Sequence, residues 1–166
     1  MPRKKGEKKE GATFIEGLKA KEVQDVSLDE LKANDKTFQY RFHVSIGDLK
    51  NSLIHEGQIE PIDLTGSKPY KIIDGFRRVQ ALKALGWKTA KALVHNRITQ
   101  KEAYKLAFIK NVVRKNLSPM DRANAIFLAK QRGIKGAELT HEFALSKKQL
   151  ERYEELLDFP SEIQKL

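Results

Sequence analysis

The sequence contains no cysteine, so it forms no disulfide, no thiolate zinc site and no cysteine nucleophile. It has no apolar run near the ~18 residues that a membrane helix needs. The basic start leads into no apolar segment, which argues against a secretory signal. The four histidines (His43, His55, His95 and His141) lack metal-ligand spacing, and we expect them to be surface or packing residues. The glycine-rich GxxxxGK[ST] loop is absent as well.

What the sequence does have is an excess of positive charge in one segment. The 166 residues carry a formal net charge of +10. Residues 71–115 hold twelve Lys or Arg against two acids, whereas residues 1–70 and 116–166 are each balanced. With 40% hydrophobic residues, the chain is long enough to bury one ordinary core or two small ones. Charge concentrated in this way favours an anionic partner such as nucleic acid, nucleotide or phosphate.

Hydrophobic spacing and turn residues predict an α/β domain followed by helices. Residues 1–20 are expected to be a basic flexible tail, residues 21–98 an α/β domain, residues 99–116 a connecting helix and residues 117–166 a helical domain. The predicted strands are Glu22–Val26, Ile62–Leu64, Tyr70–Ile73 and Ala90–Val94. The predicted helices cover residues 46–57, 76–85, 99–113, 118–132, 135–144 and 146–157. Ser45 and Ser118 are expected to cap two of them.

A predicted strand turns into a predicted helix at Asp74-Gly75-Phe76-Arg77-Arg78, inside the basic segment. The N-terminus of a helix directs backbone N–H groups outward and attracts anions. Backbone amides combined with guanidinium groups suit phosphate oxygens. The stretch therefore predicts a phosphate-binding site.

Residues 136–154 match the spacing of a helix-turn-helix. Apolar residues fill its five packing positions: Leu139, Phe143, Leu145, Leu150 and Tyr153. Thr140 stands at the close crossing of the helices, and Ala144 stands where the turn usually has glycine. Ser146 is expected to cap the second helix, and its DNA-contacting face would be Ser146, Lys147, Lys148, Gln149 and Arg152. An ordinary helical hairpin is the alternative, since acids further along the same helix would repel phosphates.

Three sequence blocks follow one another along the chain. The first is Asp48-Leu49-Lys50-Asn51-Ser52-Leu53-Ile54-x-x-Gly57-x-x-x-Pro61-Ile62, the second is Gly75-x-Arg77-Arg78-x-x-Ala81, and the third is Asn111-x-x-Arg114-x-x-Leu117-Ser118-Pro119. In order and spacing, with the helix-turn-helix after them, they resemble the N-terminal and DNA-binding regions of the ParB family of chromosome and plasmid partition proteins. The resemblance covers roughly residues 22–166.

This resemblance implies a fold and a function that composition alone does not. ParB proteins share a fold with sulfiredoxin, bind CTP with Mg²⁺, recognise centromere-like DNA through the helix-turn-helix and close into a sliding clamp. The implied nucleotide-binding residues are Arg41, Gly75, Phe76, Arg77, Arg78, Lys110, Asn111 and Arg114, and Asn111 would also help to hold the metal. The resemblance further implies self-association on ligand binding, a partition ATPase as a partner, and a cytoplasmic location on the nucleoid away from any membrane.

The sequence departs from the family pattern at charged positions. The family has Glu at Phe76, Arg at Gln80 and Gln at Glu60, and it has a metal-binding Glu at Lys110. Because a lysine ammonium repels a hard cation that carboxylate oxygen would bind, two outcomes are open. Lys110 replaces the charge of the metal and holds phosphate directly, with weak CTPase activity at most. Alternatively, the pocket has lost nucleotide and the basic patch contacts the DNA backbone.

Three classes of protein fit these observations to different degrees. A CTP-controlled, ParB-like DNA-binding protein uses both the basic junction and the helix-turn-helix. A small-molecule kinase of the same superfamily would not need a helix-turn-helix, and a sulfiredoxin requires a cysteine that the chain lacks. A DNA-binding or transcription-regulating protein with a decayed pocket is the third class.

Overall fold

The computed structural model describes residues 22–40, 45–112, 117–142 and 145–158. The chain divides into two compact units, one within residues 20–114 and the other within residues 115–166. Several predictions lie outside the described residues, namely those for the basic tail 1–20, Arg41, His43, Arg114, and Phe143 and Ala144 of the helix-turn-helix. No helix in the described part of the chain is both long and apolar enough to cross a bilayer.

A four-stranded sheet forms the centre of the first unit. Its strands are β1 (Gln24–Ser27), β2 (Ile62–Thr65), β3 (Ile72–Asp74) and β4 (Thr89–His95), and their spatial order is β1-β4-β2-β3. β4 pairs antiparallel with β1 and parallel with β2, while β2 and β3 are antiparallel. β3 is buried at every position, as expected for a strand covered on both faces.

Three helices complete this unit: α1 (Gly47–Glu56), α2 (Phe76–Ala84) and α3 (Gln100–Val112). α1 packs on α2, α2 also contacts β2, and α3 packs against β3. Apolar residues spaced along α2, with Val79 and Leu82 fully buried, face a core shared with the strands. That core includes Val26, Leu28, Leu53, Ile62, Leu64, Ile72, Ala90, Ala92 and Val94. α3, which the sequence predicts to connect the two domains, thus packs on the sheet and lies inside the α/β unit.

The structure confirms the α/β class of this unit, and one capping prediction is wrong. Ile46, not Ser45, occupies the N-cap position of α1, and no side chain caps that helix. The Ser45 hydroxyl accepts only a long 3.4 Å bond from the Gly47 N–H. The Ser45 carbonyl instead accepts a hydrogen bond from Arg77, so tertiary contacts place this residue outside the helix.

The second unit contains α4 (Pro119–Gln131), α5 (Gly136–Glu142) and α6 (Lys147–Leu157). Ser118 caps α4 as predicted, because its hydroxyl accepts from the Asp121 N–H at 3.0 Å. α6 packs against both α4 and α5, and Leu139, Leu145 and Leu150 are buried as their spacing predicts. This packing fits a helix-turn-helix and equally fits a helical hairpin, so its DNA role stays a prediction.

Candidate nucleotide site

Gly75 makes the turn from β3 into α2 with a left-handed backbone (φ 100°). A Cβ at this position would lie 2.6 Å from Cγ2 of Ile62, so the turn excludes other residues. No side chain caps α2, and its first turn carries no acid. The backbone N–H groups at this helix end therefore lack intrahelical partners and present a positive end to an anion.

Arg78 is buried and held by the protein itself. Its guanidinium donates to the Pro61 carbonyl at 2.7 Å and to Oε2 of Glu60 at 2.7 Å, and it lies 3.7 Å from Oδ2 of Asp74. The side chain is only 10% exposed. Glu60, a departure from the family pattern, thus supplies a charge partner for Arg78. In this arrangement Arg78 fastens α2 to the segment before β2 and offers little free hydrogen-bonding capacity to a phosphate.

Arg77 is placed differently from its neighbour. Its Nη2 atom donates to the Ser45 carbonyl at 2.5 Å, which joins the start of α2 to the segment before α1. Its Nε–H is buried and has no hydrogen-bond partner among the described residues. Because an unsatisfied buried donor is costly, this atom indicates a place for an anionic oxygen.

Phe76 lies beside a cavity of about 700 Å³ between α2 and the segment 33–39. The cavity wall on the helix is formed by Phe76, Val79, Gln80 and Lys83, and the facing wall by residues of the segment 33–39. It combines an aromatic ring, side-chain amides and lysines. A planar heterocycle with polar edges is the kind of group that such a lining accommodates.

Lys110 lies on a buried carboxylate that the sequence interpretation missed. Its ammonium pairs with Oδ2 of Asp63, and His95 Nε2 lies 2.8 Å from Oδ1 of the same residue. Asp63 is 1% exposed. Burial favours the neutral acid, but the hydrogen bond from His95 and the charge of Lys110 outweigh it, so the pKa of Asp63 lies below its ordinary value. Asp63 on β2 pairs in register with Asp74 on β3, the residue just before Gly75. Lys110 therefore contacts the strand next to β3.

A charged residue inside an apolar strand is the sequence signal that could have identified this cluster. Asp63 stands between Ile62 and Leu64, both of which are fully buried. A carboxylate in such a strand requires a cation or several donors. The partners, His95 and Lys110, are distant in sequence, so spacing could not have named them.

Asn111 offers little to a metal ion. Its side-chain N–H group donates to the Ala107 carbonyl at 2.6 Å, within its own helix. The ammonium of Lys110 lies one residue away, and in the described part of the chain no three His, Asp or Glu side chains are grouped to hold a cation. These residues do not fit Mg²⁺, which prefers several oxygen ligands in octahedral geometry.

The side chains predicted to contact DNA lie on the first turns of α6. Lys147, Lys148, Gln149 and Arg152 are all exposed. Ser146 and Gln149 form a complete capping box, with Ser146 Oγ accepting from the Gln149 N–H at 3.1 Å and Gln149 Oε1 accepting from the Ser146 N–H at 2.9 Å. Among the acids of the same helix, Glu154 pairs with Lys130 of α4. That pairing turns one of the acids towards α4.

Curated relatives of this chain include a bacterial sporulation protein and a nucleoid occlusion protein. Stage 0 sporulation protein J of Bacillus subtilis (strain 168) is 28% identical over 154 residues, which are 90% of this chain and 54% of that protein. The nucleoid occlusion protein of Lysinibacillus sphaericus (strain C3-41) is 34% identical over 128 residues, 74% of this chain and 41% of that protein. The chain spans about half the length of these relatives.

Solved structures show the same fold at low sequence identity. The C-terminally truncated partitioning protein ParB of Caulobacter crescentus, complexed with CTP-gamma-S, matches with a TM-score of 0.51 and 22% identity over 87% of this chain and 83% of that one. The same protein complexed to the centromeric parS site matches with a TM-score of 0.60 and 23% identity over 86% and 75% of the two chains. The family model of the ParB N-terminal domain matches residues 13–112. The chain therefore belongs to the ParB N-terminal domain family.

Proposed function

We propose that this chain is a ParB-type chromosome or plasmid partition protein that binds CTP at the start of α2 and DNA through α6. The observation that carries the nucleotide proposal is the uncapped end of α2 beside the unpartnered Nε–H of Arg77. A relative of the same fold was crystallised with CTP-gamma-S, and it was also crystallised with its parS site. Clamp closure, self-association and a partition ATPase partner belong to the same proposal.

The phosphates of the nucleotide would lie against Gly75, Phe76 and Arg77. Backbone N–H groups at the helix end and the Arg77 guanidinium supply donors whose charge complements phosphate oxygen. Gly75 permits the left-handed turn that presents these N–H groups, because a Cβ there would collide with Ile62. Arg78 would not contact the phosphates itself. It would stabilise the Gly75 turn through its contacts with Glu60, Asp74 and the Pro61 carbonyl.

Lys110 would contribute its charge from α3, where its side chain reaches Asp63 on the neighbouring strand β2. Its ammonium is held on Asp63 and remains 27% exposed. A cation fixed at this place reduces the repulsion that a triphosphate experiences, which is the task a metal ion performs elsewhere. Asn111 would contribute the second N–H of its side-chain amide, the first being donated to the Ala107 carbonyl, and Arg41 and Arg114 remain proposed contacts outside the described residues.

The base and ribose would occupy the cavity along α2. Phe76 offers a ring face, while Gln80 and Asn34 offer amide groups for the edge of a base. This cavity adjoins the helix end, so one nucleotide would reach both places. The choice of cytosine rests on the family relationship.

Titration of the chain with CTP, ATP, GTP and UTP, with and without Mg²⁺, tests the nucleotide proposal. We expect CTP to bind preferentially and its affinity to change less than about threefold when Mg²⁺ is removed, because Lys110 occupies the place of a metal-binding carboxylate. Isothermal calorimetry gives the affinity, and phosphate release gives the turnover. Binding of none of the four nucleotides would refute the nucleotide proposal, and a strict need for Mg²⁺ would refute the role of Lys110.

A second candidate function is DNA binding without nucleotide. The observation in its favour is that two of the predicted phosphate ligands, Arg78 and Lys110, already have carboxylate partners inside the protein. In that case the same titration shows no binding, and DNA affinity does not respond to CTP.

A further inference from the structure

A second cavity, of about 520 Å³, lies at the opposite end of the β2–β3 hairpin from Gly75. Four cationic side chains line it: Lys32, Lys68, Lys71 and Arg97. They come from three separate parts of the chain, and no acid is among the lining residues. Like charges brought together from distant segments repel each other, so this arrangement favours an anion.

The ion pairs around this cavity leave part of the charge uncompensated. Lys68 pairs with Glu30, and Lys71 lies 3.1 Å from Oδ2 of Asp35. Lys32 and Arg97 are exposed and have no hydrogen bond or ion pair from their side chains among the described residues. Two positive charges therefore point to solvent at the rim of one cavity.

The backbone around Arg97 is held in an unusual conformation. Arg97 has a left-handed backbone (φ 64°), which is uncommon for a residue with a side chain. The turn that faces it is pressed close, since a Cβ on Gly66 would lie 2.4 Å from the Asn96 Cα. Such strain persists where the surroundings fix it, and it often accompanies a functional site.

The end of α3 at this cavity does not supply the attraction by itself. The N–H and hydroxyl of Thr99 both donate to Oε2 of Glu102 at 2.8 Å, so an acid already caps that helix. The cationic side chains are what would bind an anion here. Since Lys32, Lys68 and Arg97 are all exposed and the cavity opens to solvent, it suits one phosphate group of a large polyanion better than an enclosed small molecule.

We propose that this cavity, with Lys32 and Arg97 as its free cations, binds a phosphate group of the DNA backbone without regard to base sequence. The contact is separate from the nucleotide site at Gly75 and from α6. Through this contact the α/β unit would bind duplex DNA directly.

The test uses the full chain with Lys32→Gln and Arg97→Asn together, because Asn tolerates a left-handed backbone. Binding to a duplex of arbitrary sequence is measured by fluorescence anisotropy at several salt concentrations. We expect weaker binding and a salt slope reduced by about 1, because one phosphate that the protein no longer neutralises lowers the slope by about 0.9. Lys88→Gln with Lys91→Gln is the matched control, since it removes two exposed cations of the same unit.

The outcomes separate this site from the other proposals. A slope equal to that of the unmodified chain, or an equal fall in the control, overturns the proposal. If the variant keeps its DNA affinity but loses binding of inorganic phosphate in calorimetry, the site takes a small anion and the DNA assignment is wrong. Lys32→Arg with Arg97→Lys should retain the slope, which shows that charge and not folding is responsible. CTP affinity should be unchanged in every variant, whether or not α6 binds DNA.

Discussion

Arg77 and Arg78 are adjacent, yet their side chains have different surroundings. Arg78 is buried among Glu60, Asp74 and the Pro61 carbonyl, whereas the Nε–H of Arg77 is left without a partner in the described chain. One arginine thus supports the turn, and the other is available to a ligand. Replacing the two separately distinguishes these roles.

We expect Arg78→Ala to lower the free energy of unfolding by about 2 kcal/mol, because it removes the buried hydrogen bond to the Pro61 carbonyl and the ion pairs with Glu60 and Asp74. Arg77→Ala should cost less than about 1 kcal/mol, since it loses one hydrogen bond to Ser45. The same change should weaken CTP binding at least about tenfold, which is about 1.4 kcal/mol. Urea unfolding and calorimetry measure the two quantities, and an unchanged CTP affinity in Arg77→Ala would refute its phosphate contact.

Asp63 makes the stability of the α/β unit sensitive to acid. Its pKa is lowered in the folded protein, so the ionised carboxylate stabilises the fold above the ordinary value of 3.8. That contribution is lost as the pH falls through the lowered pKa. Asp63→Asn should cost about 2 to 4 kcal/mol at pH 7, because Lys110 and His95 lose a buried partner.

The difference between Asp63→Asn and the unmodified chain should therefore shrink when unfolding is measured near pH 3. Asp25→Asn is the control, because Asp25 is an exposed carboxylate on β1. It should change stability by less than about 0.5 kcal/mol at either pH. A cost for Asp63→Asn that is the same at pH 7 and pH 3 would contradict the ion-pair explanation.

At the scale of elements, α6 divides its charge along its length. Lys147 and Lys148 lie in its first turn and Arg152 follows Glu151 near its middle, while Glu154 and Glu155 lie towards its end and Asp158 just past it. Changing the three cations to Gln should weaken DNA binding and reduce the salt slope by up to about 3. Glu155→Gln with Asp158→Asn should instead leave DNA binding unchanged or strengthen it.

The measurement is anisotropy with a labelled duplex over a range of salt. Equal weakening by the two sets of changes would mean that α6 does not contact DNA through its first turns. Circular dichroism checks that each variant keeps its helices, since Ser146 and its capping box are unaltered in all of them.

Local chemistry made several elements predictable. The caps at Ser118 and Ser146 depend on residues three positions further on, and both form as expected. The start of α2 was also predictable, because the apolar run of a strand gives way at Gly75 to the apolar spacing of an amphipathic helix. The cap at Ser45 failed because Arg77 binds the Ser45 carbonyl, a contact between residues distant in sequence.

At the scale of the whole molecule, the charge in residues 71–115 does not form a single patch. Arg78 and Lys110 are neutralised by Glu60 and Asp63, while Arg97 lies at the other end of the β2–β3 hairpin from Gly75. The sequence predicts an anionic partner, but it cannot predict this division. The pairings join residues that only the sheet brings together.

The strand order also bears on how the α/β unit folds. β4 lies between β1 and β2, so its two neighbours come from much earlier in the chain. Only the β2–β3 hairpin and the helices can form from nearby residues. β4 can join the sheet only through contacts between residues that are far apart in sequence. Such contacts slow folding, and the edges of β1 and β2 stay exposed until they form. We therefore expect the turn at Gly75, next to the β2–β3 hairpin, to form early in folding. The contacts of Asp63 with His95 on β4 should form later.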